Sequence, residues 1–237
     1  MSAAAACVAS LDWSRIAEDL DRDGFAVTPP LLAPQACVKL RARFDDPGTR
    51  FRATIDMARY NFGRGCYRYF DHPLPAEVGA LRATLYPPLA GIANVWAERL
   101  GSAPDWPDSL EALTARCRTA GQTRPTPLLL RYGEDDYNCL HQDLYGPLHF
   151  PLQVIVMLSD PAREFSGGEL VLVEQRPRMQ SRPMVVILNQ GQAAVVPVRE
   201  RPRLGTRGWH RVQMRHGVSR VRSGSRTTLG VIFHDAS

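Results

Sequence analysis

Lysine is almost missing from this chain: Lys39 is the only one, and the other 28 of the 29 basic residues are arginine. Such a bias reflects coding composition as much as selection for phosphate contacts, so it does not by itself mark a nucleic-acid binder. Cysteine is sparse as well. Cys7, Cys37, Cys66, Cys117 and Cys139 are odd in number, widely spaced and free of any Cys-x-x-Cys pair. That excludes a disulfide framework and a zinc site, and it fits reduced thiols in a cytoplasm. No apolar run approaches the roughly 18–20 residues of a membrane span. Met1 to Ser10 is small and apolar, but it has no positively charged n-region and is followed by Asp12, so a signal peptide is not expected. A phosphate-binding glycine loop and a serine nucleophile elbow are absent, and Gly63-Arg64-Gly65 falls short of a dinucleotide fingerprint. Nucleotide hydrolysis, serine esterase and Rossmann-type chemistry are therefore unsupported.

What is present is unevenly distributed. The net charge is +5, yet Arg176 to Arg226 holds twelve arginines against one acid, Glu200, a balance of +11 that leaves −6 for the remainder. That stretch reads either as a solvated face of scattered ion pairs or as an anion-attracting surface, with Arg176, Arg178 and Arg182 placed to steer a substrate. At 237 residues and 44% hydrophobic content, the chain is expected to form a single domain, 1–237.

The first half reads helical. Leu11 to Asp23, Pro34 to Phe44 and Pro75 to Leu100 carry apolar residues at helical spacing, the last with Val78, Leu81, Leu85, Leu89, Ile92 and Trp96. Between them, Phe51 to Phe70 interleaves aromatics with arginines and reads as a loop covering a site, with Arg64 and Tyr69 as substrate-contacting residues. From Leu128 onward the pattern becomes short β-type runs: LLLRY, the segment around His141, FPLQVIVML, GGELVLVE, MVVIL, AAVVPV, RVQM, HGVSRV and TTLGVIF. Runs of this kind separated by Gly, Pro, Asn or Asp turns, with no alternating helices, predict an α+β fold with a mainly β core. The expected architecture is a jelly roll (a cupin-like double-stranded β-helix) over 128–237, with 1–127 as a helical cap and substrate-covering region.

Within the β half, His141-Gln142-Asp143 places an imidazole and a carboxylate at i and i+2, on one face of a strand. His216 follows 73 residues after Asp143, and Arg226 ten residues later. Two neutral imidazoles and a carboxylate suit Fe(II) and leave coordination positions open. His210 and His234 compete with His216, which is preferred because it opens a β-run and precedes Arg226 and Thr228. Those two share a strand face and could hold a carboxylate through a guanidinium fork and a hydroxyl. Cys139, two residues before His141, reads as a small core residue. Gly167-Gly168 reads as a tight turn opening a strand.

These motifs resemble the 2-oxoglutarate/Fe(II)-dependent dioxygenases over about Leu128 to Asp235. Arg131-Tyr132 ahead of His141-Gln142-Asp143 is similar to the AlkB branch. Phe165-Ser166-Gly167-Gly168-Glu169-Leu170 and the ten-residue step from His216 to Arg226 are more like the prolyl-hydroxylase branch. The wording from Phe150 to Arg182 and of Ile232-Phe233-His234-Asp235-Ala236 looks closest to a group of uncharacterised bacterial oxygenases, sometimes labelled as acting on damaged DNA. The resemblance implies Fe(II), 2-oxoglutarate and O2 as cofactors, with His141, Asp143 and His216 as metal ligands and catalytic residues. It implies Arg226 and Thr228 at the co-substrate, with Tyr132 either a hydrogen-bonding partner there or a strand-packing residue. Arg176 and Trp209 join Arg64 and Tyr69 as expected substrate contacts.

The favoured expectation is a cytoplasmic enzyme that hydroxylates a small anionic molecule and releases succinate and CO2. Oxidative demethylation of damaged nucleic acid or of a protein residue is the alternative, and a non-catalytic metal-binding cupin-like sensor is the alternative of another class. Nucleic acid is the less favoured partner, and no membrane partner is expected.

Overall fold

The computed structural model describes residues 3–176 and 179–237, so Arg178 lies outside the described residues. The N-terminal elements are α1 (Ala3–Ala9), α2 (Trp13–Asp23), β1 (Ala26–Val27), α3 (Pro34–Ala42), β2 (Phe51–Asp56), a 3-10 turn at Met57–Tyr60, β3 (Gly63–Arg64), β4 (Cys66–Phe70), α4 (Ala76–Arg99) and α5 (Leu110–Thr119). Strands follow: β5 (Leu128–Tyr132), β6 (Tyr137–His141), β7 (Leu152–Met157), β8 (Phe165–Gly167), β9 (Leu170–Gln175) and β10 (Arg182–Val186). The last are β11 (Ala193–Pro197), β12 (Glu200–Gly205), β13 (Gly208–Val218), β14 (Val221–Gly224) and β15 (Arg226–Val231).

Most of the strands form two antiparallel sheets of jelly-roll type, and β8 and β14 pair separately in a two-stranded ribbon. The larger runs β1-β11-β7-β15-β5-β4-β2 and the smaller β10-β9-β13-β6-β3, with β12 paired to β13. Period-two alternation decides what each face of the large sheet does. Leu152, Val154 and Val156 of β7, Ala193 and Val195 of β11, Leu129 of β5, and Leu229 and Val231 of β15 pack against the helices in one core. Their alternates face the other way. Ala194, Val196 and Met157 meet Leu172, Met184 and Met214 of the small sheet in a second core. Gln153, Leu128, Leu130, Tyr132, Arg226 and Thr228 open into a cavity between the sheets.

Helix α2 starts two residues later than the sequence pattern suggests, because the Asp12 side chain caps it by accepting from the Arg15 backbone N–H at 2.9 Å. It ends at Gly24 in the left-handed region (φ 82°), whose N–H donates to the Leu20 carbonyl. In α4 the expected stripe is buried, and with it Arg82, which donates to the carbonyls of Ile232 and Phe233 and pairs with Asp235 at 2.6 Å. That buried arginine ties the C-terminal segment to the helix.

Two features differ from the sequence reading. The helices back the outer face of the large sheet, on the side away from the cavity, because their apolar stripes match that face. The cavity is bounded by 51–70, as expected, but this stretch forms β2, β3 and β4 and not a loop: β4 pairs with β5 and β2 with β4, while β3 joins β6 in the small sheet. The first half of the chain thus supplies strands to both sheets. His216 also lies inside the eleven-residue β13, not at the start of a strand.

Much of the cationic segment is neutralised internally. Glu174, wholly buried, receives Arg201 at 2.5 Å and Arg176 at 2.8 Å, and it also pairs with Arg203. Glu200 pairs with Arg211 at 2.9 Å, and Asp135 with Arg220 at 3.0 Å. Removing a carboxylate that three guanidinium groups share strands the fully buried Arg201. Glu174→Ala is therefore expected to cost about 3–5 kcal/mol. Urea unfolding checks this: the midpoint should fall with little change in slope.

Candidate metal and co-substrate site

Strand pairing brings the three expected metal ligands together. His216 on β13 is the register partner of His141 on β6, and the two rings lie 4.3 Å apart between centroids. Strand β6 ends at His141, so Asp143 sits just beyond it. Between the two ligands, Gln142 donates to the carbonyls of Arg199 and Met214, which pins the segment against β13 and the start of β12. The Asp143 Oδ2 lies 3.2 Å from His216 Nε2, and Oδ1 lies 3.6 Å from His141 Nε2. Ligand atoms of the three residues all fall within 4.8 Å of one another.

The protonation states suit a divalent metal. Burial disfavours the Asp143 carboxylate, but His141, His216 and the Tyr145 hydroxyl outweigh it and hold its pKa well below the usual range. Burial and the neighbouring His216 push the His141 imidazole down, toward its neutral form. His141 Nδ1 lies 2.8 Å from the Cys139 carbonyl, which fixes the proton on that nitrogen and frees Nε2 for a metal. Cys139 contributes this carbonyl while its side chain is exposed, contrary to the core role expected for it. The competing histidines stand apart. The His234 Nδ1 accepts the Phe150 N–H, and burial lowers its pKa to about 4. His210 lies on an exposed part of β13.

Beside the triad, Arg226 is the register partner of Tyr132. Its guanidinium is buried, and Nε, Nη1 and Nη2 all lack a hydrogen-bond partner among the described residues. Burial lowers its pKa to about 10, against the opposing effect of Tyr132 and Glu169, so it remains charged at neutral pH. A buried, uncompensated guanidinium is costly unless an anion meets it. Gly168, at φ 63°, makes room for it: a Cβ there would lie 2.9 Å from Arg226 Cδ. The glycine pair expected only to turn the chain therefore also shapes this site. Thr228 lines the same cavity from the same strand face. Tyr132 is fully buried and receives a hydrogen bond from Asn138 at 3.2 Å. The residues present thus fit both groups: a two-histidine, one-carboxylate set for Fe(II), and an unpaired fork for the distal carboxylate of 2-oxoglutarate.

Of the expected substrate contacts, Tyr69 lines the cavity, with the Arg52 guanidinium 4.2 Å from its ring centroid on the far side of the lining. Arg64, Arg176 and Trp209 do not line it. Arg64 is exposed near Asp136 at 3.8 Å, Arg176 is held by Glu174, and Trp209 stacks with Arg99 at 4.2 Å. Phe62 and Tyr67, in the aromatic–arginine stretch expected to cover the site, line it as well, whereas sequence reasoning missed Tyr145 and Gln153. Tyr145 had a legible signal, since His141, Asp143 and Tyr145 stand at i, i+2 and i+4.

An open facial triad between two sheets, with a buried fork awaiting a carboxylate, defines the class: a non-haem Fe(II), 2-oxoglutarate-dependent oxygenase. A sequence model of the Oxygenase-NA family, described as "Oxygenase, catalysing oxidative methylation of damaged DNA", matches residues 65–236, and the chain belongs to that family. It is an enzyme whose cofactors are Fe(II), 2-oxoglutarate and O2. Two uncharacterised proteins of Mycobacterium tuberculosis are each 51% identical over 168 residues, 71% of this chain and 72% of theirs. The fold is similar to that of an oxidoreductase of the 2OG-Fe(II) oxygenase family from Burkholderia pseudomallei (TM-score 0.56, 15% identity, 96% of this chain and 95% of that one). It is also similar to a Pseudomonas putida prolyl-4-hydroxylase (TM-score 0.52, 13% identity, 95% and 100%). No helix among the described residues is long and apolar enough to cross a membrane.

Proposed function

We propose that this enzyme oxidatively removes an alkyl group from a damaged base of nucleic acid. The observation that carries the reading is the wall of the cavity next to Asp143. It is built from Phe62, Tyr67, Tyr69, Tyr145, Leu128 and Ile232, and among the described residues Arg226 is the only arginine in the lining. With Arg226 given to the co-substrate, a small anionic substrate finds no counter-charge there. A flat aromatic group finds edges and faces of tyrosine. A cavity of about 200 Å³ takes the co-substrate and one such group, not a duplex, so a base reaches it only when unstacked or flipped. The description of the family supports the same substrate class.

When bound, the iron supplies the oxidising power that couples 2-oxoglutarate decarboxylation to attack on a C–H bond. In this reading His141, Asp143 and His216 hold the metal, Arg226 and Thr228 orient the co-substrate, and the tyrosine wall orients the base and excludes water. One oxygen atom of O2 ends in succinate and the other on the alkyl carbon. An N-hydroxymethyl group then collapses to formaldehyde and the free N–H.

The test offers N-methylated single-stranded oligonucleotides, methylated nucleosides and free aromatic acids to the iron-loaded enzyme, and measures succinate and formaldehyde together. Stoichiometric release with the oligonucleotide alone supports the reading. Succinate driven by a free aromatic molecule, with none from oligonucleotides, replaces it with small-molecule hydroxylation. Binding carries its own expectation. Arg207, Arg215 and Arg222 are exposed and form no ion pair among the described residues. If they meet phosphates, log affinity for single strands should fall linearly with log salt, by about 0.7 per phosphate neutralised. Replacing all three with alanine should flatten that slope in a salt titration.

A further inference from the structure

We propose that Tyr145 is the positioning residue of the metal-binding carboxylate, its hydroxyl holding one oxygen of Asp143 so that only the other reaches the metal. The inference rests on the metal site described above. Asp143 lies beyond the end of β6, outside the strand ladder that fixes His141 and His216. Once a metal takes the Nε2 lone pairs, the two imidazoles no longer restrain the carboxylate except through the metal itself. The remaining contact is the Tyr145 hydroxyl, which donates to Oδ1 at 2.6 Å, while Oδ2 faces His216 Nε2 at 3.2 Å.

Tyr145 is itself well held. Its ring meets Tyr69 edge-on at 6.0 Å between centroids and lies 5.9 Å from the ring of His234, and its backbone carbonyl accepts the Ser237 N–H at 3.1 Å. A carboxylate free to swing can chelate through both oxygens and would occupy a position that an oxygenase needs for co-substrate or O2. A phenol bonded to one oxygen favours single-oxygen ligation and keeps that position open.

The experiment uses full-length protein freed of metal and titrated anaerobically with Co(II), following the visible d–d absorption, in the wild type and Tyr145→Phe. The variant keeps the ring and loses the hydroxyl. We expect it to bind Co(II) about ten- to a hundredfold more weakly, with an altered d–d spectrum, while circular dichroism shows a folded apoprotein. A purely structural role for Tyr145 would lower the melting temperature and leave the metal affinity of the folded protein unchanged, so affinity within twofold of wild type overturns the proposal. Failure of the wild type itself to bind Co(II) overturns instead the metal site on which the proposal rests. Should the variant not fold, the wild type still decides. Its metal-induced infrared difference spectrum should show the wide antisymmetric–symmetric splitting of a carboxylate bound through one oxygen, and the narrow splitting of a chelating one refutes the idea.

Discussion

His216→Ala is expected to abolish Fe(II) retention and 2-oxoglutarate turnover while leaving the protein folded, and His141→Ala and Asp143→Ala should do the same. Each variant leaves two ligands on a labile metal. The loss should exceed the roughly 10–100-fold that follows when only a residue supporting a ligand is removed. His216 sits within β13, where backbone pairing to both β6 and β9 survives the loss of its ring. Asp143→Ala carries an added cost, because the Tyr145 hydroxyl loses its acceptor. Asp143→Glu should also be poorly active, since the extra methylene displaces the carboxylate by more than a tight site tolerates. Anaerobic Fe(II) titration alongside succinate release checks all four. Wild-type turnover in His216→Ala would remove His216 from the metal site.

Local chemistry accounts for what could be read from the sequence. His141, Asp143, His216, Arg226 and Thr228 follow from side-chain type and spacing, and β5, β7, β11 and β15 show as apolar runs because both of their faces are buried. Strands β2 and β4 were hidden. Their alternation mixes cavity-facing tyrosines, Tyr67 and Tyr69, with arginines such as Arg52 and Arg68 that lie over aromatic rings and donate to the carbonyls of Pro125 and Phe44. A strand that lines a site on one face and carries cations on the other has no clean apolar period. The roles of Arg64, Arg176 and Trp209 depended on partners distant in sequence or invisible to a motif: Asp136, Glu174 and Arg99. Which sheet face the helices cover was hidden for a related reason. An amphipathic stripe shows that a helix is buried on one side, not which sheet face it covers.

Arg226→Met is expected to weaken 2-oxoglutarate binding by about tenfold to over a hundredfold, with iron binding nearly intact and with the apoprotein made more stable. The first effect is the loss of a charge-assisted bidentate contact worth on the order of 1.5–3 kcal/mol or more. The second follows from the buried guanidinium, whose three nitrogens have no hydrogen-bond partner among the described residues. Its pKa, lowered by burial from the ordinary arginine range to about 10, means that the charged form is disfavoured in the folded state. The sign is fixed by proton uptake. Above pH about 10, until the unfolded chain's own guanidinium titrates, the unfolded chain holds a proton that the folded one has lost, so stability rises with pH there, and the penalty is fully present at neutral pH. A methionine of similar reach removes a penalty on the order of 3 kcal/mol and fills the space that Gly168 leaves open. A residue that costs the empty enzyme stability and restores it on binding co-substrate is selected for function. Arg226→Lys should rescue affinity only in part, because a point charge lacks the planar fork. Arg131 and Arg220 cannot replace it, being partly exposed and paired with Asp45 and Asp135. Anaerobic titration of 2-oxoglutarate into the iron-loaded variant, followed by metal-to-ligand charge-transfer absorbance, measures the affinity, and thermal unfolding of the apoprotein measures the stability. Wild-type affinity with unchanged stability would place the co-substrate carboxylate elsewhere.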